Sequence, residues 1–146
     1  MPLPNFNRAG DLPEGLHRAT IDETLARFGT GPPKRQAVAV QLRRIYALAR
    51  ETGRLERFII FGSFITGKPE PNDVDIVLIM RDDFVLGDCD KETGKLFNHM
   101  QAEEEFKANI FWIRPSMIVL ESLDQFIEHW QVKRDRTRRG IVEVRQ

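Results

Sequence analysis

An α/β fold, a mixed sheet of about four strands with helices packed on it, is predicted by three observations. Segments with helical apolar spacing alternate with short, nearly continuous apolar runs. Pro- and Gly-rich breaks separate these segments. At 146 residues with 41% hydrophobic and 30% charged residues, the chain suits one domain with a single core, residues 1–146.

The opening stretch "MPLPNFNRAGDLPEGLH" is rich in Pro, Gly and Asn, so residues 1–19 read as an irregular arm. Thr20 then starts a helix, "TIDETLARFG". Thr20 and Glu23 have capping-box spacing, Ile21, Leu25 and Phe28 share one face, and Gly29 stops it. A second helix begins after "TGPP", with Pro33 in its first turn and Gly53 at its end. Val38, Leu42, Ile45, Leu48 and Ala49 form its apolar stripe.

"RFIIFG" and "VDIVLIM" read as two buried strands. The polar, acidic stretch that follows reads as a loop and an exposed helix, with Leu96, Phe97, Met100 and Phe106 turned inward. "ANIFWI" is a third strand. Leu123, Phe126, Ile127 and Trp130 mark a last helix, and "IVEV" a last short strand.

The informative stretch is "FGSFITGKPEPNDVDIVLIM". In a strand, residues two apart share a face. Asp73, Asp75, Val77 and Ile79 therefore lie on one side, and Val74, Ile76, Leu78 and Met80 on the other. Two adjacent carboxylates resist joint ionisation unless a cation lies between them. Mg²⁺ accepts oxygen ligands and commonly takes one or two carboxylates, with phosphates and water completing its shell. Gly62 lets the backbone turn sharply after a strand. Ser63 offers a hydroxyl and an N–H at the start of a helical turn, where phosphate is favoured. Lys68 adds a positive charge. Alone, Gly62 and Ser63 read as an ordinary tight turn, Lys68 as a solvated side chain and Asp73 as a cap on "PEPND". Asp75, inside the apolar run, has no such explanation.

Gly62-Ser63, a loop of nine residues, then Asp73-Val74-Asp75-Ile76 resembles the signature of the nucleotidyltransferase superfamily. That is the fold of DNA polymerase β and of minimal bacterial nucleotidyltransferases. "LPEGLH", "RFG" and "GIVEV" are also similar to an uncharacterised short family within it. The resemblance covers Arg57 to Ile113 in its motif-bearing part. It implies that Gly62 and Ser63 bind the β- and γ-phosphates of a nucleoside triphosphate and that Asp73 and Asp75 bind Mg²⁺ and are catalytic; Lys68, by its charge, is a further candidate for substrate binding. An acceptor hydroxyl then takes the NMP group, and pyrophosphate leaves. The family's third carboxylate corresponds here to Asn109, a neutral ligand and a poorer base. Asn109 thus joins the metal set while lowering the catalytic expectation.

Lys133 to Arg139, "KRDRTRR", is the one basic cluster. It reads equally as a grip on triphosphate or nucleic acid and as a solvated loop. Glu103 to Glu105 read as a solvated helix face. His17, His99 and His129 lack zinc spacing, with His17 expected to tether the arm. Trp112 and Trp130 are assigned to core packing. Cys89 is the only cysteine, which excludes an internal disulfide and points to a cytoplasmic protein. Its acidic neighbours argue against an activated thiolate. With no long apolar run, neither signal peptide nor membrane span is expected.

Three functions compete. The first is a Mg²⁺-dependent nucleotidyltransferase acting on an unknown acceptor: a protein, an RNA or a small molecule. The second is a degenerate module that binds nucleotide or a protein partner, as in a toxin–antitoxin or defence pair. The third is a structural domain with an incidental acidic strand.

Overall fold

The computed structural model describes residues 3–146. Its centre is a five-stranded mixed sheet in the order β1-β5-β2-β3-β4. The strands are β1 (Leu16–Thr20), β2 (Leu55–Phe61), β3 (Val74–Met80), β4 (Ala108–Ile113) and β5 (Ile141–Arg145). β1 runs parallel to β5, and β3 parallel to β4; β2 is antiparallel to both β3 and β5. The mixed α/β architecture is as expected, with one strand more than the sequence predicts. That strand takes the end of the presumed arm. "LHRAT" lacks a continuous apolar run, and its pairing with β5 comes from opposite ends of the chain.

The helices are α1 (Ile21–Phe28), α2 (Pro33–Glu51), α3 (Lys91–Gly94), α4 (His99–Phe106) and α5 (Leu123–Glu128). Among the described residues, no helix is long and apolar enough to cross a membrane. Thr20 caps α1: its hydroxyl accepts from Glu23 N at 3.1 Å, and Glu23 Oε1 accepts from Thr20 N at 2.9 Å. This satisfies two otherwise orphaned donors. The acidic stretch after β3 is more broken than expected. α3 and α4 are separated by a 3₁₀ turn, Lys95–Phe97, and Met100 is 79% exposed instead of inward.

Alternation along the strands divides the core in two. Phe58, Ile60, Val74, Ile76, Leu78 and Val142 pack with α1, α2 and α4 through Phe28, Leu42, Ile45 and Phe106. Ile59, Val77, Ile79 and Ile141 form the second cluster with Ile127 of α5. Arg57 helps to seat α5. It donates to Glu143 on the sheet at 2.7 and 2.9 Å and to Asp124 on α5 at 3.0 Å. The face carrying Asp75 is thus covered by α5 farther along β3 and open at the strand's start.

Candidate functional site

The site is built at one end of the sheet by β2, β3, β4 and the returning chain before β5. β2 and β3 form an antiparallel pair in which Phe61 faces Asp75. The chain leaves β2 through Gly62, with φ 83° and ψ −167°, a conformation that glycine alone adopts cheaply. A Cβ there would overlap the carboxylate of Asp75. The backbone and the carboxylate therefore occupy adjoining space only because position 62 has no side chain.

Beyond Gly62, the turn Ser63–Ile65 is closed by Thr66, whose N and Oγ1 donate to Ser63 O at 3.1 and 2.7 Å. The turn is held from behind by Arg35 of α2. Arg35 is 7% exposed, and its guanidinium donates to four carbonyls: Phe28 (3.0 Å), Phe64 (2.7 Å), Thr66 and Lys68 (2.6 Å). Burial lowers its pKa. Neither its role nor its burial is visible in the sequence, where it is one charged residue in the first turn of a helix.

Asp73 and Asp75 lie on the same side and meet a single donor. Asn109 Nδ2 donates to Asp73 Oδ2 at 3.1 Å and to Asp75 Oδ1 at 2.9 Å. The parallel register of β3 and β4 sets Asn109 opposite Asp75. β3 lies inside the sheet, between β2 and β4, so the pair occupies the end of a central strand rather than a sheet edge. The Asp75 carboxyl is pushed upward by burial; the Asn109 hydrogen bond opposes this, and the charge of Asp73 adds to it. Arg139 and Arg134 pull it back down from across the cleft.

An open cleft of about 750 Å³ lies over these groups. Gly62, Ser63, Lys68, Asp75 and Asn109 line it, so the structure gathers five of the six sequence-predicted positions around one space. Asp73, the sixth, lines a different cleft between α2 and α4. Opposite the carboxylate stand Lys133, Arg134 and Arg139 of the basic segment. Lys133 and Arg139 are steadied by buried Asp11 at 3.3 and 3.4 Å. The N-terminal arm thereby positions the basic wall. His17 ties down the same arm through Nε2 to Pro13 O at 2.7 Å.

Aromatic side chains complete the cleft. Phe61 and Trp130 have ring centroids 4.6 Å apart, Phe111 and Trp130 5.3 Å, and His99 and Phe111 5.3 Å. Phe111 is 41% exposed. Trp130 both packs and lines the cleft, which extends its expected role in core packing. Trp112 packs with Phe84 and Phe97. In the sequence, His99 and Phe111 carry no signal of sharing this space; the strand register and the fold of α4 bring them together.

The remaining residues behave more simply. Glu105 pairs with Arg44 and Lys95, while Glu103 and Glu104 are exposed. Burial, then Asp90 and Asp88, push the Cys89 thiol up. Among the described residues, no group of three or more His, Cys, Asp or Glu is placed to hold a metal ion. What the site offers is two carboxylates and an amide. Two carboxylate oxygens converge on the Asn109 amide nitrogen, and with that amide turned to present its oxygen the three side chains would offer an all-oxygen donor set of the kind that suits a small hard cation.

Residues 4–145 match the model of a family described as a family of unknown function (DUF6932). No curated protein and no solved structure gives a match.

Proposed function

We propose that this chain, which belongs to the family of unknown function DUF6932, is a nucleotidyltransferase-like protein that binds a nucleoside triphosphate with Mg²⁺ and transfers its NMP group to a hydroxyl. One observation carries the reading: Asp75, which shares the Asn109 amide with Asp73, lies against Gly62 of the Gly62-Ser63 turn and lines a cleft walled by cations. The β2–turn–β3 hairpin, with Gly-Ser at its exit and Asp-x-Asp at its return, supports the likeness to the nucleotidyltransferase fold.

The roles follow from the residues. Ser63 and Lys68 bind the phosphates from one side, and Lys133, Arg134 and Arg139 from the other. Charge neutralisation and positioning are most of what phosphoryl chemistry asks of a protein. Phe111, with His99 beside it, offers a ring for the base to stack on. Asp73, Asp75 and the Asn109 carbonyl would hold Mg²⁺, which when bound supplies charge neutralisation at the phosphates. In the transfer, the acceptor oxygen bonds to the α-phosphorus and the bond from that phosphorus to the bridging oxygen breaks. Pyrophosphate leaves, and the acceptor proton is released to water.

The test is calorimetry with ATP, with and without Mg²⁺, followed by incubation with labelled NTPs and a panel of acceptors. Mg²⁺-dependent binding that Asp75→Ala abolishes is the expected result. Absence of nucleotide binding under both conditions would refute the reading.

A second reading has its own support. Asn109 stands where a third carboxylate would make a stronger base, and its amide already satisfies both aspartates. A module that binds nucleotide or a protein partner without turnover, such as an antitoxin or defence component, fits that chemistry. Nucleotide binding indifferent to Mg²⁺ would favour it. A single unpaired cysteine is compatible with a cytoplasmic setting for either reading.

A further inference from the structure

The acidic pair has a cleft on each side. Asp75 faces the cationic cleft; Asp73 lines a second space of about 750 Å³ between α2 and α4. We propose that this second cleft seats the acceptor, and that the acceptor is a small, neutral or cationic molecule bearing a hydroxyl, such as an amino alcohol. The inference rests on the nucleotidyl-transfer reading above.

Placement is the first reason. In phosphoryl transfer the attacking and leaving oxygens lie roughly in line, on opposite sides of the phosphorus. The four cations of the first cleft, Lys68, Lys133, Arg134 and Arg139, suit the departing pyrophosphate. A nucleophile must then approach the phosphorus from the side away from those cations, and the cleft that Asp73 lines is the other space bordering the carboxylate pair. The acceptor oxygen forms its bond to the α-phosphorus as the bond to the pyrophosphate oxygen breaks, and the hydroxyl proton is released to water.

Charge gives the class. Asp73, Glu103 and Glu104 line the second cleft against Lys34 and Lys107. Lys34 also donates to Asn72 Oδ1 at 2.9 Å. A polyanion gains nothing from such a wall, because nucleic-acid affinity comes mainly from cations that replace its counterions. An ammonium group does gain from it. Ala37, Val38 and the exposed Met100 provide an apolar side for a carbon skeleton, and a methionine adapts readily to different shapes.

The test uses the full chain with ¹³C-labelled methionine methyls. The titrants are 1,3-diamino-2-propanol and, separately, a short oligoadenylate RNA with a free 3′-hydroxyl. The amino alcohol should move the Met100 methyl saturably and leave the buried Met80 methyl in place. Glu103→Gln with Glu104→Gln should weaken that response about tenfold. Folding of the variant is read from the Met80 signal, which should keep its position. A silent Met100, an affinity unchanged in the glutamine variant, or a Met100 response to RNA and not to the amine would overturn the proposal. Calorimetry with MgATP reads the other cleft independently. Failure of ATP to bind while Met100 still responds counts against nucleotidyl transfer; ATP binding with a silent Met100 counts against the acceptor site.

Discussion

Gly62 and Asp75 occupy the same small volume: the carboxylate of one lies where the Cβ of any other residue at the first position would be. The backbone at Gly62 also has φ 83°. Steric and conformational costs therefore coincide at the residue that precedes the candidate phosphate-binding serine. Gly62→Ala should lower stability by about 1–2 kcal/mol and turn Asp75 away from Asn109. Thermal denaturation and nucleotide calorimetry would measure the two effects. An alanine variant with wild-type stability and binding would show that the close approach is not required.

Asp75 makes stability depend on pH. Burial is the largest influence raising its pKa; the Asn109 hydrogen bond opposes it and the Asp73 charge reinforces it. A carboxyl with a raised folded-state pKa binds its proton more tightly in the folded chain than in the unfolded one. Its favourable contribution is complete below the unfolded value and is lost as pH rises through the folded value. Stability should therefore fall with rising pH just above the ordinary aspartate range. Asp75→Asn should flatten that fall and raise the melting temperature at neutral pH in EDTA. Urea titrations across acidic pH would check this; a variant less stable than the parent at neutral pH would contradict it.

Asn109 is the neutral member of the oxygen set. Asn109→Asp replaces a donor shared by two carboxylates with a third negative charge. In EDTA the variant should lose roughly 1–3 kcal/mol. Saturating Mg²⁺ should restore stability, with a gain of about 2.7 kcal/mol at a hundredfold excess over Kd. Equal melting temperatures with and without Mg²⁺ would count against a cation at this point.

Arg35 should matter far more than its place in a helix suggests. Its guanidinium satisfies carbonyls of Phe28, Phe64, Thr66 and Lys68. Arg35→Met removes these donors together, and the loss should be roughly 3 kcal/mol or more. Arg35→Lys should recover only part, because an ammonium cannot reproduce the planar fork. Chemical denaturation of both variants would rank them.

Arg134 tests the cationic wall with little structural cost. It is exposed, and no ion pair joins it to another described residue. Arg134→Ala should leave the melting temperature unchanged and weaken triphosphate binding about three- to tenfold at low salt, with the difference shrinking as salt rises.

Much of this architecture is legible along the chain because its causes are local. The Thr20–Glu23 box, Pro33 at the start of α2 and the alternation of β3 depend on neighbours within a few residues. The same alternation put Asp73 and Asp75 on one side, and a short reach across the loop put Gly62 and Ser63 nearby. Strand β1 and the exposed Met100 differ from the sequence expectation for a shared reason. A strand with a partner more than a hundred residues away, and a helix whose start is set by a preceding 3₁₀ turn, leave little local pattern.

The amino-acid order by itself determined which residues make up the candidate site: a glycine-serine turn, two carboxylates on one strand face and an amide on a later strand. Only the tertiary structure decided what stands around them. Parallel pairing of β3 with β4 put Asn109 between the aspartates, and Arg35 anchored the serine turn. Docking of the arm through Asp11 held Lys133 and Arg139 over the cleft. The physical reason is range: side-chain periodicity is written residue by residue, whereas strand register and buried charge pairing join segments far apart in the chain.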